Sequence, residues 1–149
     1  MRRKGPAMLE NPEQAKLLKK PHKYRVAPKE QRTIDGICFG SRAEAARYCE
    51  LKMQERDGKI LRLELQVVFQ LQAGIKYIAD FTYRREGECA DTIEDVKGMK
   101  TVVYRLKKKL FEAFIGVPIT EINMDSRRAD NAITAYLAGG KLAQKGGAK

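Results

Sequence analysis

The sequence predicts an α/β fold, one mixed sheet flanked by helices, and three observations carry that prediction. Three runs with strand-like patterning lie between residues 60 and 98, and short turn-rich breaks separate them, so they form antiparallel hairpins. A stretch of helical spacing then precedes a fourth strand-like run at 117–124, the crossover that a parallel strand requires. A capped helical stretch comes before the first run. The predicted order is helix, three strands, helix, strand.

Each element has a local reason. "TIDGICF" (33–39) places Ile34, Ile37 and Phe39 around Asp35-Gly36 and predicts a small hairpin or edge strand. "SRAEAARYCELKMQERDGK" (41–59) predicts the first helix: Ser41 is a good N-cap, Ala45, Tyr48, Cys49 and Leu51 to Met53 form its apolar stripe, and Asp57-Gly58 stops it. "ILRLELQVVFQL" (60–71) puts Leu65, Val67, Phe69 and Leu71 on one parity. "GIKYIADFTYR" (74–84) alternates Ile75, Tyr77, Ala79, Phe81 and Tyr83 on one face. Glu86-Gly87-Glu88 turns into a third strand, "ADTIEDVKG" (90–98). "KTVVYRLKKKLFEAFIG" (100–116) predicts the second helix, with Val102, Val103, Leu106, Leu110 and Phe114 as its apolar stripe and Gly116 as its end. "VPITEINM" (117–124) is the fourth strand. "SRRADNAITAYLAGG" (126–140) predicts a last helix, capped by Ser126 and closed by Gly139-Gly140.

The chain divides into a basic N-terminal arm (1–32), a core (33–125) and a C-terminal helix with a flexible basic tail (126–149). The arm holds ten Lys or Arg against three acids. Formal net charge over the 149 residues is +11, which points to a polyanion, most commonly nucleic acid. Three cysteines, Cys38, Cys49 and Cys89, match no zinc spacing and read as free thiols of a reducing cytosol. His22 is the only histidine, which argues against a His-based metal site or catalytic triad. No apolar run is long enough for a membrane span, and the basic start is not followed by the apolar segment of a secretory signal.

Asp80 stands inside an apolar run, and Asp95 and Lys97 follow two residues apart. If the hairpin registers the face of Ile78, Asp80 and Thr82 with that of Ile93, Asp95 and Lys97, the three charged groups converge at one end of the sheet, with Glu94 and Val96 facing away. Two adjacent carboxylates repel, and each tends to hold a proton. A divalent cation removes that cost. All-oxygen ligation suits Mg²⁺, and a lysine beside it can orient or help deprotonate a water that attacks a phosphodiester. The residues equally fit an exposed Asp–Lys pair on a strand.

Asp80 followed by Asp95-Val96-Lys97 resembles the PD-(D/E)xK nuclease superfamily, with Ala79 in the place of the motif's proline. "GICFGSRAEAARYCELK", "LELQVVFQL", "KYIADFTY" and "EDVKGMKTVVYRLKKKLF" look like a family of small phage and prophage proteins with that core, over about residues 22–123. The chain is more distantly similar to phage Holliday junction resolving endonucleases. The resemblance implies a restriction-endonuclease-like core and a catalytic set of Glu44, Asp80, Asp95 and Lys97. It implies Mg²⁺, with Mn²⁺ substituting, held by Glu44, Asp80, Asp95 and the Val96 carbonyl. Ser41 and Gln66 would support that site. Ser41-x-x-Glu44 is also a capping box, which by itself explains the pair.

The expected activity is a metal-dependent endonuclease acting on branched DNA, in the cytoplasm of an infected bacterial host. The alternatives are a flap, single-strand or nicking nuclease of phage replication or packaging, or a basic DNA-binding or structural phage protein without catalysis. Backbone contacts are expected from Arg2, Arg3, Lys4, Lys19, Lys20, Lys23 and Arg25 in the arm and from Lys100, Arg105 and Lys109 on the second helix, with Lys108 solvated. Two symmetric cuts in a junction call for a homodimer, with 33–39, 41–57 and the Ile133, Tyr136 and Leu137 side of the last helix as candidate interfaces.

Overall fold

The computed structural model describes residues 26–145, with side chains as far as residue 139. Its elements follow the predicted order. A hairpin of β1 (Thr33–Ile34) and β2 (Ile37–Cys38) leads into helix α1 (Arg42–Arg56). Strands β3 (Ile60–Gln70), β4 (Lys76–Arg85) and β5 (Asp91–Val96) come next, followed by helix α2 (Val102–Ile115), strand β6 (Ile119–Ile122) and helix α3 (Ser126–Lys145). The four-stranded sheet has the order β3-β4-β5-β6, antiparallel except for the parallel β5–β6 pair that α2 connects. The sequence thus gave the mixed α/β class and its topology. Among the described residues, no helix is long and apolar enough to cross a membrane. The arm cations Arg2 to Arg25 lie outside the described residues.

Local chemistry explains most boundaries. Asp35 and Gly36 both have positive φ, as a two-residue hairpin turn demands. Ser41 Oγ accepts the Glu44 amide at 3.1 Å and so caps α1. Thr101 caps α2 in the same way through the Tyr104 amide, and Gly116 closes it in the left-handed conformation. Two boundaries of α3 differ from the prediction. Its cap is Asp125, whose Oδ1 accepts the Arg128 amide at 2.8 Å, and not Ser126. The helix also runs through Gly139-Gly140 instead of ending there. Gly139 lies beside the Arg56 guanidinium, where a Cβ would stand 3.2 Å from it.

Two apolar cores lie on the sheet. Ala45, Ala46, Tyr48, Cys49 and Leu51 of α1 and Ala129, Ala132 and Ile133 of α3 pack with Phe81, Tyr83 and Val96. On the other side, Tyr104 and Phe111 of α2 pack with Tyr77, Ala79, Ile93 and Ile119, and Phe111 stacks against Phe69 and Tyr77 at ring distances of 5.0 and 4.9 Å. The odd side chains of β4 therefore serve different cores, Tyr77 and Ala79 one and Phe81 and Tyr83 the other. Strict alternation had placed all of them on one face. The change of partner falls at Asp80, opposite Gln66 in β3, and Gln66 has φ +52. A left-handed residue inside a strand turns the chain about its axis and carries its neighbours across.

Helix α2 departs most from expectation. Of its predicted apolar stripe, Val102, Val103, Leu106 and Phe114 are exposed by 80, 63, 68 and 48%, only Leu110 packs on the core, and the sheet takes the Tyr104–Phe111 side. The reason is tertiary. Only the aromatic side meets Phe69 and Tyr77, and only that rotation brings Lys108 to Glu121, at 3.2 Å.

The surfaces expected to meet a second chain divide: Thr33, Asp35, Gly36, Ile37 and Cys38 are exposed, while parts of α1 and α3 pack against each other. Tyr48 and Tyr136 both donate to Asp35 in the hairpin turn, Arg128 pairs with Glu50 at 2.8 Å, and Ile133 is buried, whereas Leu137 is exposed.

Candidate metal and phosphate site

The β4–β5 register pairs Phe81 with Glu94 and Thr82 with Ile93, so the next step along the hairpin sets Asp80 beside Asp95. Asp80 is 7% and Asp95 1% exposed. Asp80 Oδ2 accepts the Val96 amide at 2.8 Å, and Oδ1 accepts from Gln66 Nε2 at 3.3 Å. The Tyr77 hydroxyl donates to Asp95 Oδ2. Lys97 Nζ stands 2.7 Å from Asp95 Oδ1 and forms an ion pair with that buried oxygen. The Lys97 ammonium offsets part of the cost of burying two adjacent carboxylates, and a divalent cation would offset more of it.

Electrostatics agree with that geometry. Burial first, and then the neighbouring Asp95 and Glu44 carboxylates, push Asp80 up to about 7, with the Val96 amide opposing. Burial works to lower the Lys97 ammonium, and Asp95, Asp80 and Glu44 together outweigh it, so its proton is held more firmly than usual. The ammonium also lies 5.4 Å from the centre of the Tyr104 ring. The Tyr77 hydroxyl is raised by burial and by its bond to Asp95, so it remains a donor.

Glu44 stands apart. Its Oε1 accepts from Ser41 Oγ at 3.1 Å, and its Oε2 accepts the Gly40 amide at 3.1 Å, which makes it the second half of the helix cap. It shares a cleft of about 400 Å³ with Gln66 and Asp80 and is close enough to raise Asp80. Among the described residues, no three His, Cys, Asp or Glu side chains are gathered so as to hold a metal ion. The three-carboxylate set is therefore not assembled. Asp80 and Asp95 are, and one or two carboxylates with water and phosphate are what Mg²⁺ ordinarily uses. At Val96, the assigned metal-ligand carbonyl, the described contact is its amide, which orients Asp80.

The cations assigned to a DNA backbone divide. Arg105 and Lys109 are exposed. Lys100 is instead bonded to Glu121, and Lys108, expected in solvent, reaches both Glu112 and Glu121. Lys100 and then Lys108 hold Glu121 down to about 2. Glu121 lies on β6 beside Asp95, so the parallel crossover sets it under the start of α2.

Sequence reasoning missed Tyr77 and the pair on the opposite face. Arg47 donates to Glu94 through Nε at 2.9 Å and Nη2 at 2.7 Å, and Tyr83 donates to it at 2.5 Å. A buried tyrosine needs a partner for its hydroxyl, and Tyr77 and Tyr83 in an apolar run carried that signal.

Comparison with known proteins matches the chain to a family. The family described as "Protein of unknown function (DUF1064)" covers residues 21–126. No curated protein and no solved structure matches the chain.

Proposed function

We propose, for a chain that belongs to the DUF1064 family, that it is a divalent-metal-dependent nuclease hydrolysing DNA phosphodiesters. The observation that carries this reading is the buried Asp80–Asp95 pair with the Lys97 ammonium beside it.

Asp80 and Asp95 would hold Mg²⁺ or Mn²⁺, with the Val96 carbonyl at hand, and the ion would supply Lewis acidity toward a phosphate oxygen. The chain's own groups do the rest. Tyr77 fixes the Asp95 carboxylate through Oδ2 and leaves Oδ1 directed to the site. The Val96 amide fixes Asp80. Lys97, firmly protonated, holds a water or a phosphate oxygen and offsets negative charge as the water oxygen bonds to phosphorus and the P–O ester bond breaks. The attacking water releases a proton to solvent and the departing oxygen takes one from solvent, so that the products are a phosphate monoester and a free hydroxyl. Arg105 and Lys109 give the backbone a cationic flank. Glu44 stays on its cap in this arrangement, and its part in catalysis would require it to leave Ser41 and Gly40.

The finer reading is a homodimer of phage origin acting on branched DNA, which follows from the resemblance to junction-resolving endonucleases. Incubation with Mg²⁺ and labelled four-way junction, flap, single-stranded and linear duplex DNA tests both levels. Cleavage of any of these that is abolished by EDTA and by Asp95→Asn supports the nuclease. Preference for the junction, with a dimer by light scattering, supports the finer part. No cleavage of any substrate with Mg²⁺ or Mn²⁺ would reject the enzyme reading.

A further inference from the structure

Apolar side chains crowd the mouth of the site. A second cleft of about 480 Å³ is lined by Asp95 and Lys97 together with Ile78, Met99 and Val103. Those three are exposed by 51, 67 and 63%. Among the described residues no core uses them, and their exposure costs solvation. Lys76 and Lys107 line the same cleft, so the apolar wall is set among cations.

Two kinds of partner could cover an apolar wall. A second copy of this chain would bring its own Arg105, Lys107 and Lys109 against these, because they flank the exposed side of α2, and like charges across an interface oppose association. A polyanion meets no such penalty. The backbone of paired DNA offers sugar and phosphate at its surface, and its base faces are stacked away. An unpaired strand offers both features that the cleft matches: phosphate for the lysines and a bare base face for the apolar wall.

We propose that Ile78, Met99 and Val103 form a binding surface for an unpaired nucleobase next to the Asp95–Lys97 centre. The cleft thereby selects strands whose bases are unstacked, as at single-stranded ends and branch points. This inference rests on the nuclease reading and adds the residues that choose the substrate.

The test is fluorescence anisotropy with the full chain in EDTA, which keeps the strand intact. The probes are a labelled oligodeoxythymidylate, the same length with abasic sites, a forked duplex and a blunt duplex. The wild type is expected to bind the oligodeoxythymidylate and the fork more tightly than the abasic strand or the blunt duplex. The Ile78→Ser/Met99→Ser variant should lose roughly fivefold on the first two and nothing on the others, about the effect of exposing a small apolar contact. Both positions are exposed, so the fold should persist, and circular dichroism checks it. Equal binding of abasic and thymidine strands, or equal weakening on all probes, overturns the proposal while leaving a DNA-binding protein. A wild-type dimer that the variant dissolves also overturns it, in favour of a protein interface. No binding to any probe at low salt removes the nuclease reading beneath it.

Discussion

Replacing Asp80 by asparagine should abolish cleavage and at the same time stabilise the fold in the absence of a divalent cation. Asp80 and Asp95 lie side by side, and both are buried. Burial and Asp95 lift the Asp80 proton affinity to about 7. A carboxyl whose affinity is raised by folding binds more protons folded than unfolded, so its ionisation destabilises the fold as pH rises from about 4 through 7. Each tenfold is worth about 1.4 kcal/mol, so the ceiling at pH 8 is about 4 kcal/mol. Sharing of the charge with Asp95 and contact with Lys97 reduce it to roughly 1–2 kcal/mol. Asparagine keeps the geometry. Its carbonyl can accept the Val96 amide, and its NH₂ can donate to Gln66 once that exposed amide turns over. The melting temperature of Asp80→Asn should exceed that of the wild type by roughly 3–10 °C at pH 8 in EDTA. The gap should shrink toward pH 4, and millimolar Mg²⁺ should raise the wild type alone. A variant no more stable than wild type at pH 8, or a gap indifferent to pH, would refute the claim that these carboxylates repel in a site lacking its cation.

Asp95→Asn should likewise abolish cleavage with the fold intact, and Lys97→Ala should lower the cleavage rate far more than DNA affinity, since it is one of thirty basic residues; single-turnover rates and anisotropy separate the two. Tyr77→Phe removes the hydroxyl that orients Asp95, and the Mg²⁺ concentration for half-maximal cleavage should rise by about 10–100-fold. Arg47→Ala leaves Glu94 buried without its cation and should cost about 3–5 kcal/mol in urea unfolding, whereas replacing both partners by apolar residues should cost much less. Deleting residues 1–20 should weaken DNA binding and flatten its dependence on salt, while the thermal transition stays close to that of the full chain.

The sequence by itself determined what local chemistry decides. Asp35-Gly36 set the hairpin, Ser41 set the start of α1, and Gly116 set the end of α2, because each signal acts within three or four residues. The period of the strands and the helical crossover set the mixed sheet. The Asp80, Asp95 and Lys97 cluster was legible only on the condition that the hairpin registers those faces, and the β4–β5 pairing meets that condition. Glu44 was legible as a cap and as a ligand, and the geometry keeps it on the cap.

The tertiary structure alone decided which side of α2 is buried. An apolar stripe shows that a helix has two faces, but Phe69, Tyr77 and Glu121 decide which one the sheet accepts. It also decided the change of core at Asp80, where Gln66 turns the strand, and the passage of α3 through Gly139 beside Arg56. The bonds from Tyr77 to Asp95 and from Arg47 to Glu94 span 18 and 47 positions. No periodicity reaches that far: such partners meet only after the sheet has set its register and the helices have docked on its two faces.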